Sequence, residues 1–445
     1  MDMKRLKVIG LSFVCALLAV CSVQAQDSLY YRSWVGKLAS EDCRGRGYSG
    51  GGDRIAAQLI VDEWRRLGLQ HWTEDYLQPL NFSMNLYEGE ATVSFDTQDT
   101  AMVLFENVQF EPYSHGVKGT FKVKNVPVSK MVALYKAGKT FENQFVCFDI
   151  SALDSKDSSD KLYLDAVQEL CFQNYFKAKG YIIVSEKLRG WHIGYGKYEK
   201  SHTVINVCKS ALKKMPRKVT VALDQRFEAK YSSQNICAFI PGKSHPDSFI
   251  VFAGHYEHLG QFGKDYTFYG ANDNASGAAF VIDLARHFSQ PENQPDYSIA
   301  FLHFTGEEEG LWGSFYYCEH PLFPLENIKA LVNLDMVGTG EEGITVVCAT
   351  AFPQIYNTLT AINGEKHYLS KVASRGPAAN SDHYPFYKKG CPAVFIYGMG
   401  QSGRYHRRHD TLEAMSLGGY TGLFRLMVDF VQWFQLTGGL PAVEE

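Results

Sequence analysis

Side chains that bind divalent metals recur along the second half of this 445-residue sequence, each shortly after an apolar run. They are two histidines and four carboxylates: His255, Asp273, Glu307, Glu308, Asp335 and His406. Turns often contain Asp for backbone reasons, but three consecutive glutamates, as at 307–309, are costly unless they are exposed or neutralised, and a bound cation would neutralise them. Mixed imidazole and carboxylate ligands favour zinc, with manganese or cobalt as alternatives, whereas calcium and magnesium favour oxygen ligands alone. The set therefore predicts a metal site.

The number of candidate ligands indicates how many ions the site would hold. A His, Asp, Glu, Asp and His set is too large for one tetrahedral zinc that keeps an open position. Two ions about 3.5–4 Å apart, sharing a bridging carboxylate, would use all five. The positive charge of two zinc ions would also equal the negative charge of three carboxylates and one hydroxide, so the cluster could be buried without net charge. We therefore predict two Zn²⁺ per chain.

The segment after residue 235 alternates apolar strands with helices. Strands are predicted at 249–253, 298–304, 331–334, 344–348 and 393–397, and helices near 275–288, 310–318, 353–365 and 417–436. Such alternation predicts an α/β fold with a mostly parallel, mixed sheet sandwiched by helices. Because sites in these folds form beyond the carboxyl ends of the strands, the metal-binding side chains are expected to meet there.

Four parts are expected along the chain. They are a signal peptide at 1–25, an N-terminal helical part of the catalytic domain at 26–79, an inserted mainly β module at 80–230, and the catalytic domain at 231–445. Within the module, short β-like runs, including 102–105, surround one amphipathic helix at about 161–179. The module is therefore expected to form a separate sheet.

The sequence resembles the dinuclear zinc aminopeptidases, whose relatives include glutamate carboxypeptidase and the glutaminyl cyclases. The resemblance is strongest from 235 to 412 and rests on the Asn272-Asp273-Asn274-Ala275-Ser276-Gly277 loop and the Glu-Glu-x-Gly-Leu-x-Gly-Ser pattern that starts at Glu307. The module resembles a protease-associated domain. The resemblance implies peptide substrates with a free N-terminus. It also implies a zinc held by His255 and Asp335, a second zinc held by Glu308 and His406, a bridging Asp273, and Glu307 as general base.

One position departs from the pattern of this family. The family usually has Asp two residues after the first histidine ligand, and this sequence has Glu257. Residues that orient metal ligands change affinity or activity by roughly 10–100-fold. We therefore count Glu257 with Glu307 as a residue on which catalysis depends. His258 lies beside these residues without an assigned role.

Composition and the N-terminus restrict the partners and the location. A formal net charge of −4 gives no general attraction to nucleic acid or to anionic membranes. Lys4, Arg5 and Lys7 precede an apolar run at 8–21, which is typical of a secretory signal peptide. A lipoprotein modified at Cys21 is less favoured because bulky Val20 precedes that cysteine. The mature chain is expected to be periplasmic or secreted, without a membrane span and with several buried free cysteines.

Other functions remain open at this point. Within the same fold the chain could be a glutaminyl cyclase, which uses one zinc, or a carboxypeptidase. A serine hydrolase is suggested only by Gly47-Tyr48-Ser49-Gly50-Gly51, which lacks the preceding buried strand of a nucleophile elbow. A non-catalytic binding protein is supported only by the departure at Glu257.

Overall fold

The computed structural model describes residues 28–97, 102–400 and 404–440, and these residues form three sheets, of eight, seven and two strands. The predicted signal peptide at 1–25 lies outside the described residues. The strands are β1 (Leu77–Leu86), β2 (Ala91–Phe95), β3 (Val108–Phe110), β4 (Val117–Asn125), β5 (Phe145–Asp149), β6 (Gly180–Ser185), β7 (Thr203–Cys208), β8 (Lys218–Leu223), β9 (Arg226–Ile240), β10 (His245–His255), β11 (Gly260–Phe262), β12 (Tyr266–Phe268), β13 (Tyr297–Phe304), β14 (Ile328–Leu334), β15 (Gly343–Val347), β16 (Val372–Ser374) and β17 (Ala393–Met399). The helices are α1 (28–38), α2 (Gly52–Leu67), α3 (Val128–Lys136), α4 (Ser158–Gln173), α5 (Ser276–Phe288), α6 (Trp312–Glu319), α7 (Pro353–Lys366), α8 (His383–Lys388) and α9 (Tyr420–Thr437).

The larger sheet has eight strands in the order β1-β9-β13-β10-β14-β17-β15-β16. Its centre, β13-β10-β14-β17, is parallel, while β9 and β15 pair antiparallel with their neighbours β13 and β17. Successive side chains of a strand point to opposite faces. In β10, Ile250 and Phe252 pack in the core with α1, α2, α5, α7 and α9, whereas Phe249 and Val251 pack in the core with α6 and α8. The predicted α/β fold, a mixed sheet between helices, is confirmed.

The second sheet has seven strands in the order β2-β8-β4-β5-β6-β7-β3 and lies in the inserted part of the chain. Its neighbours β4, β5, β6 and β7 run parallel. Antiparallel β1 and β9 belong to the larger sheet, and their ends lead into and out of this module. The module boundaries at residues 80 and 230 fall inside β1 and β9 and stay a prediction.

One local prediction within the module was wrong, and another has shifted boundaries. The run 102–105 forms no strand: Leu104 makes a single bridge to Val108, and Phe105 has a positive φ of 58°. The predicted helix at 161–179 is α4, which begins earlier because Asp157 caps it by accepting from the backbone N–H groups of Ser159 and Asp160. It ends earlier because Asn174 adopts a left-handed conformation. A second helix, α3, was not predicted.

Two further properties bear on the expectations for the mature chain. Within the described residues, no helix combines the length and the apolar character that crossing a bilayer requires. The eight described cysteines are free thiols, and seven of them are buried. These cysteines are therefore part of the packed interior, as expected from their apolar surroundings.

Candidate metal centre

Three neighbouring strands deliver the first side chains of the site. His255 is the last residue of β10, Asp335 directly follows β14, and Glu307 lies in the turn after β13. Because β13, β10 and β14 run parallel, their carboxyl ends meet at one edge of the sheet. His255, Glu307 and Asp335 each offer a ligand atom there, and these atoms lie within 4.8 Å of one another.

Asp273 reaches the same place on the loop that precedes α5. The Asp410 carboxylate accepts hydrogen bonds from the backbone N–H groups of Asn272, at 2.9 Å, and Asp273, at 3.0 Å. The Asn274 side chain donates to the carbonyl of Leu334, the last residue of β14, at 3.0 Å. The loop is thereby fixed to the strand that carries the neighbouring ligand.

A buried arginine holds the other side of this loop. The guanidinium of Arg46 is 0% exposed and donates to the carbonyl oxygens of Gly270 and Asp273, at 2.7 and 3.2 Å. It also donates to the carbonyl of Tyr256, at 2.8 Å, in the segment after β10. Arg46 therefore ties the Asp273 loop to the segment after β10.

Asp273 lies between the two histidines, with one carboxylate oxygen facing each. His255 Nε2 lies 3.5 Å from Asp273 Oδ1 and 3.4 Å from Asp335 Oδ1. His406 Nε2 lies 3.3 Å from Asp273 Oδ2 and 3.0 Å from Glu308 Oε2. Two atoms that bind one tetrahedral zinc at about 2.1 Å are separated by roughly 3.4 Å. The five side chains therefore form two groups of candidate ligands that share Asp273.

Hydrogen bonding supports metal ligation by the same atoms. His255 Nε2, Asp273 Oδ2, Asp335 Oδ1 and His406 Nε2 are buried without a hydrogen-bond partner among the described residues. Each histidine uses its other ring nitrogen: His255 Nδ1 donates to the carbonyl of Glu257, and His406 Nδ1 to that of Trp191, at 3.0 and 2.7 Å. A carbonyl only accepts, so Nε2 of each ring is left to bind a cation.

The electrostatics of the site favour positive charge at these atoms. Burial alone would lower the pKa of His255, but the charges of Asp335 and Glu307 outweigh burial and raise it well above its ordinary value. In the same way, Glu308 outweighs burial and raises the pKa of His406 to about 11. Divalent cations supply the positive charge that these carboxylates attract.

The adjacent glutamates Glu307 and Glu308 differ in environment. Burial raises the pKa of Glu307 well above its ordinary value, and nearby Asp335 and Glu308 add to the rise. Burial would also raise the pKa of Glu308, but His406 and His258 hold it well below its ordinary value. The surroundings therefore favour the charged form of Glu308 and the protonated form of Glu307.

Glu257, the position that departs from the family pattern, reaches both ligand sets. Its Oε2 lies 3.4 Å from His255 Nδ1. Its Oε1 accepts a hydrogen bond from the backbone N–H of Glu308 at 3.1 Å. The Glu257 side chain therefore contacts His255 and also the backbone of Glu308, which lies in the turn after the neighbouring strand β13.

Four residues without an assigned role from sequence also belong to the site. His258 Nδ1 donates to Glu308 Oε1 at 2.6 Å, and the Ser381 hydroxyl donates to Asp335 Oδ2 at 2.7 Å. Tyr405 stacks on His406 with ring centroids 3.8 Å apart, and the ring of His192 lies 4.5 Å from that of His406. Sequence proximity could have indicated His258 and Tyr405, whereas His192 comes from the distant module.

The suggested serine nucleophile does not have the required environment. Ser49 is 8% exposed, and its hydroxyl accepts a hydrogen bond from the backbone N–H of Tyr87 at 3.0 Å. It precedes α2 in a turn and does not follow a strand. A serine hydrolase reading is therefore not supported.

Comparison with known proteins shows what this part of the chain is similar to. Residues 235–431 match the model of Peptidase family M28. The chain is 31% identical to aminopeptidase YwaD of Bacillus subtilis over 205 residues, which are 42% of this chain and 41% of that protein. It is 29% identical to a probable zinc metalloprotease of Leptosphaeria maculans over 196 residues, which are 36% of this chain and 45% of that protein.

A solved structure extends the similarity to most of the chain. The structure of a zinc aminopeptidase from Bacillus subtilis has a TM-score of 0.67 and 20% identity, covering 92% of this chain and 94% of that one. At this identity the match shows the fold alone. In sequence, the chain spans less than half the length of the two curated relatives. The segment 235–431, which matches the model of Peptidase family M28, carries the five candidate metal ligands.

Proposed function

We propose that this chain is an exported zinc aminopeptidase that removes N-terminal residues from peptides with two zinc ions. The observation that carries this proposal is the position of Asp273, whose two carboxylate oxygens face different histidines at 3.5 and 3.3 Å. His255 and Asp335 would hold one ion, Glu308 and His406 the other, and Asp273 both. Similarity to aminopeptidase YwaD supports the reaction, and similarity to a probable zinc metalloprotease supports the metal.

The bound ions would lower the pKa of a water molecule and polarise the scissile carbonyl. Glu307 lies within the group formed with His255 and Asp335 but is not needed as a ligand of either ion. We infer that it accepts the proton of the attacking water and returns it to the leaving amine. This role needs a carboxyl that holds a proton reversibly beside the metals.

The remaining residues orient these groups. Glu257, His258 and Ser381 hydrogen-bond or contact ligand side chains and would hold them in their binding orientation. Burial raises the pKa of Tyr405, and the nearby carboxylates, Glu308 first, add to the rise. Its hydroxyl therefore keeps its proton and would donate it in a hydrogen bond to the oxygen of the scissile carbonyl.

Metal analysis combined with a panel of aminoacyl-arylamide substrates tests the proposal. We expect two zinc ions per mature chain, release of the arylamine, and loss of this activity with a chelator. Glu307→Gln should lower kcat by about 10²–10⁴-fold while keeping both ions. One ion per chain with cyclisation of Gln-peptides would instead indicate a glutaminyl cyclase.

Glu309→Gln is the matched control for the base. Glu309 is 1% exposed, and burial raises its pKa well above its ordinary value. Glutamine keeps the size and shape of this side chain, and Glu309 is neither a proposed ligand nor the proposed base, so near-normal turnover is expected. If Glu307→Gln retains the turnover of Glu309→Gln with both ions bound, the assignment of the base is wrong.

Export is part of the proposal and is supported by the charged and apolar pattern of residues 1–25. N-terminal sequencing of the protein recovered outside the cytoplasm should give a chain that starts at Gln26. Recovery of the unprocessed chain in the cytoplasm would contradict export.

A further inference from the structure

The inserted module contains a cleft of about 770 Å³. It lies where the chain leaves the carboxyl ends of the parallel strands β5 and β6, and α4 forms one wall. Ligands of open α/β sheets bind outside the carboxyl ends of the strands. The volume also falls within the roughly 300–1,000 Å³ of ligand-binding pockets. Position and size therefore indicate a binding site.

One wall of this cleft also belongs to the metal centre. Trp191 and His192, in the segment that follows β6, both line the cleft. The carbonyl of Trp191 accepts the hydrogen bond from His406 Nδ1, and the His192 ring lies beside His406. A molecule bound at the metal centre therefore has the cleft directly next to it.

The lining of the cleft has the mixed chemistry of a peptide-binding surface. Glu111 and Arg189 supply charges of opposite sign, and the Glu111 carboxylate accepts a hydrogen bond from the Asn206 amide at 2.7 Å. Phe172 and Leu188 supply apolar area. A uniformly charged or purely apolar ligand would not match this combination, whereas a peptide carries hydrogen-bonding backbone groups and varied side chains.

We propose that this cleft binds the part of the substrate peptide on the C-terminal side of the scissile bond. The inference rests on the proposed aminopeptidase function, in which the N-terminal residue occupies the metal centre and the rest of the peptide extends away from it. Arylamides of single amino acids are too short to enter the cleft. Longer peptides reach it past Trp191 and His192.

Gln168→Trp tests the proposal by filling the cleft. Gln168 is an exposed position of α4 that lines the cleft, so the substitution adds volume without disturbing a core. We expect the KM for a pentapeptide to rise by about fivefold or more, with kcat/KM for an aminoacyl-arylamide unchanged. Leu162→Trp is the control, because Leu162 lies on α4, is 72% exposed and does not line the cleft.

Tyr195→Ala provides a second variant that removes contact area instead of blocking the cleft. Tyr195 is 57% exposed, and its ring packs against that of Phe172 with centroids 5.8 Å apart. This variant should also raise the KM for the pentapeptide selectively. Equal effects on pentapeptide and arylamide, or no effect of either variant on the pentapeptide, would overturn the proposal.

Binding to metal-depleted protein separates this proposal from the proposed function. The tetrapeptide product is titrated into metal-depleted full-length protein by calorimetry, and we expect binding that Gln168→Trp weakens by about fivefold or more. Binding that is equal in wild type and Gln168→Trp would contradict the cleft assignment. Absence of arylamide hydrolysis by the zinc-loaded protein would contradict the aminopeptidase assignment.

Discussion

The orientation of Asp273 decides whether the site binds one ion or two. A carboxylate bridges two metals only if its two oxygens point in different directions. The Asp273 backbone is held from both sides, by the Asp410 carboxylate on its N–H and by the Arg46 guanidinium on its carbonyl. This arrangement fixes the side chain between His255 and His406. The position of Asp273 between the two histidines therefore depends on two residues outside the proposed ligand set.

The first prediction concerns the contribution of Glu257 to zinc binding. Glu257→Ala removes the carboxylate beside His255 Nδ1 and the acceptor for the Glu308 N–H. We expect zinc affinity to fall by roughly 10–100-fold, measured by competition with a chromophoric chelator. Glu257→Gln is the control, because it keeps the acceptor for Glu308 and should lose less affinity. Wild-type affinity in the alanine variant would mean that Glu257 does not support the ligands.

At the scale of elements, the parallel strands explain what sequence could and could not predict. His255 and Asp335 were predictable as neighbours because they end or follow apolar strands of a parallel sheet. The role of Arg46 was not predictable, because its acceptors in the Asp273 loop and after β10 lie more than 200 residues away in the chain. The position of His192 beside His406 was not predictable either, because it depends on how the module packs against the site, and no local sequence pattern indicates that packing.

The second prediction concerns how closely α5 approaches β14. A Cβ on Gly277, in the first turn of α5, would lie 2.1 Å from the carbonyl oxygen of Leu334 and 2.4 Å from the Asn274 side chain. Gly277→Ala must therefore push α5 away from β14 and separate Asp273 from Asp335. We expect the free energy of unfolding, measured in urea, to fall by about 3 kcal/mol or more. We also expect zinc binding to weaken.

Gly364→Ala is the matched control for this substitution. Gly364 lies within α7, and a Cβ there would meet no atom within 4 Å. Alanine at an open helical position should raise the free energy of unfolding by about 0.5–1 kcal/mol. If Gly277→Ala behaves like Gly364→Ala, the close approach of α5 to β14 is not required for the site.

At the scale of the whole molecule, the two candidate metal positions differ in how they are completed. His255 is oriented by the carbonyl of Glu257, two residues further along the same segment. His406 is oriented by the carbonyl of Trp191, which belongs to the inserted module. At one candidate position, the group that orients the histidine lies within the segment that matches Peptidase family M28. At the other, the orienting group comes from the inserted module, so the orientation of His406 depends on how the module packs.

The Trp191 side chain anchors the segment that carries this carbonyl. Its indole N–H donates to the carbonyl of Phe110 at 2.9 Å. Its ring stacks on Phe268, with centroids 5.4 Å apart and an interplanar angle of 11°. Phe110 belongs to the module and Phe268 follows β10 in the catalytic part. Loss of the indole should therefore loosen the module segment against the metal centre and release the hydrogen bond that orients His406.

The third prediction is that Trp191→Ala weakens only one of the two zinc sites. We expect the ion held by Glu308 and His406 to lose roughly 10–100-fold in affinity, so that zinc titration gives one tight and one weak site per chain. Phe148→Ala, in the core on the other side of the module, controls for general destabilisation. Both proteins are compared at concentrations of urea at which they remain folded. Equal weakening of both zinc sites in Trp191→Ala, or the same selective loss in Phe148→Ala, would show that the Trp191 carbonyl does not position His406.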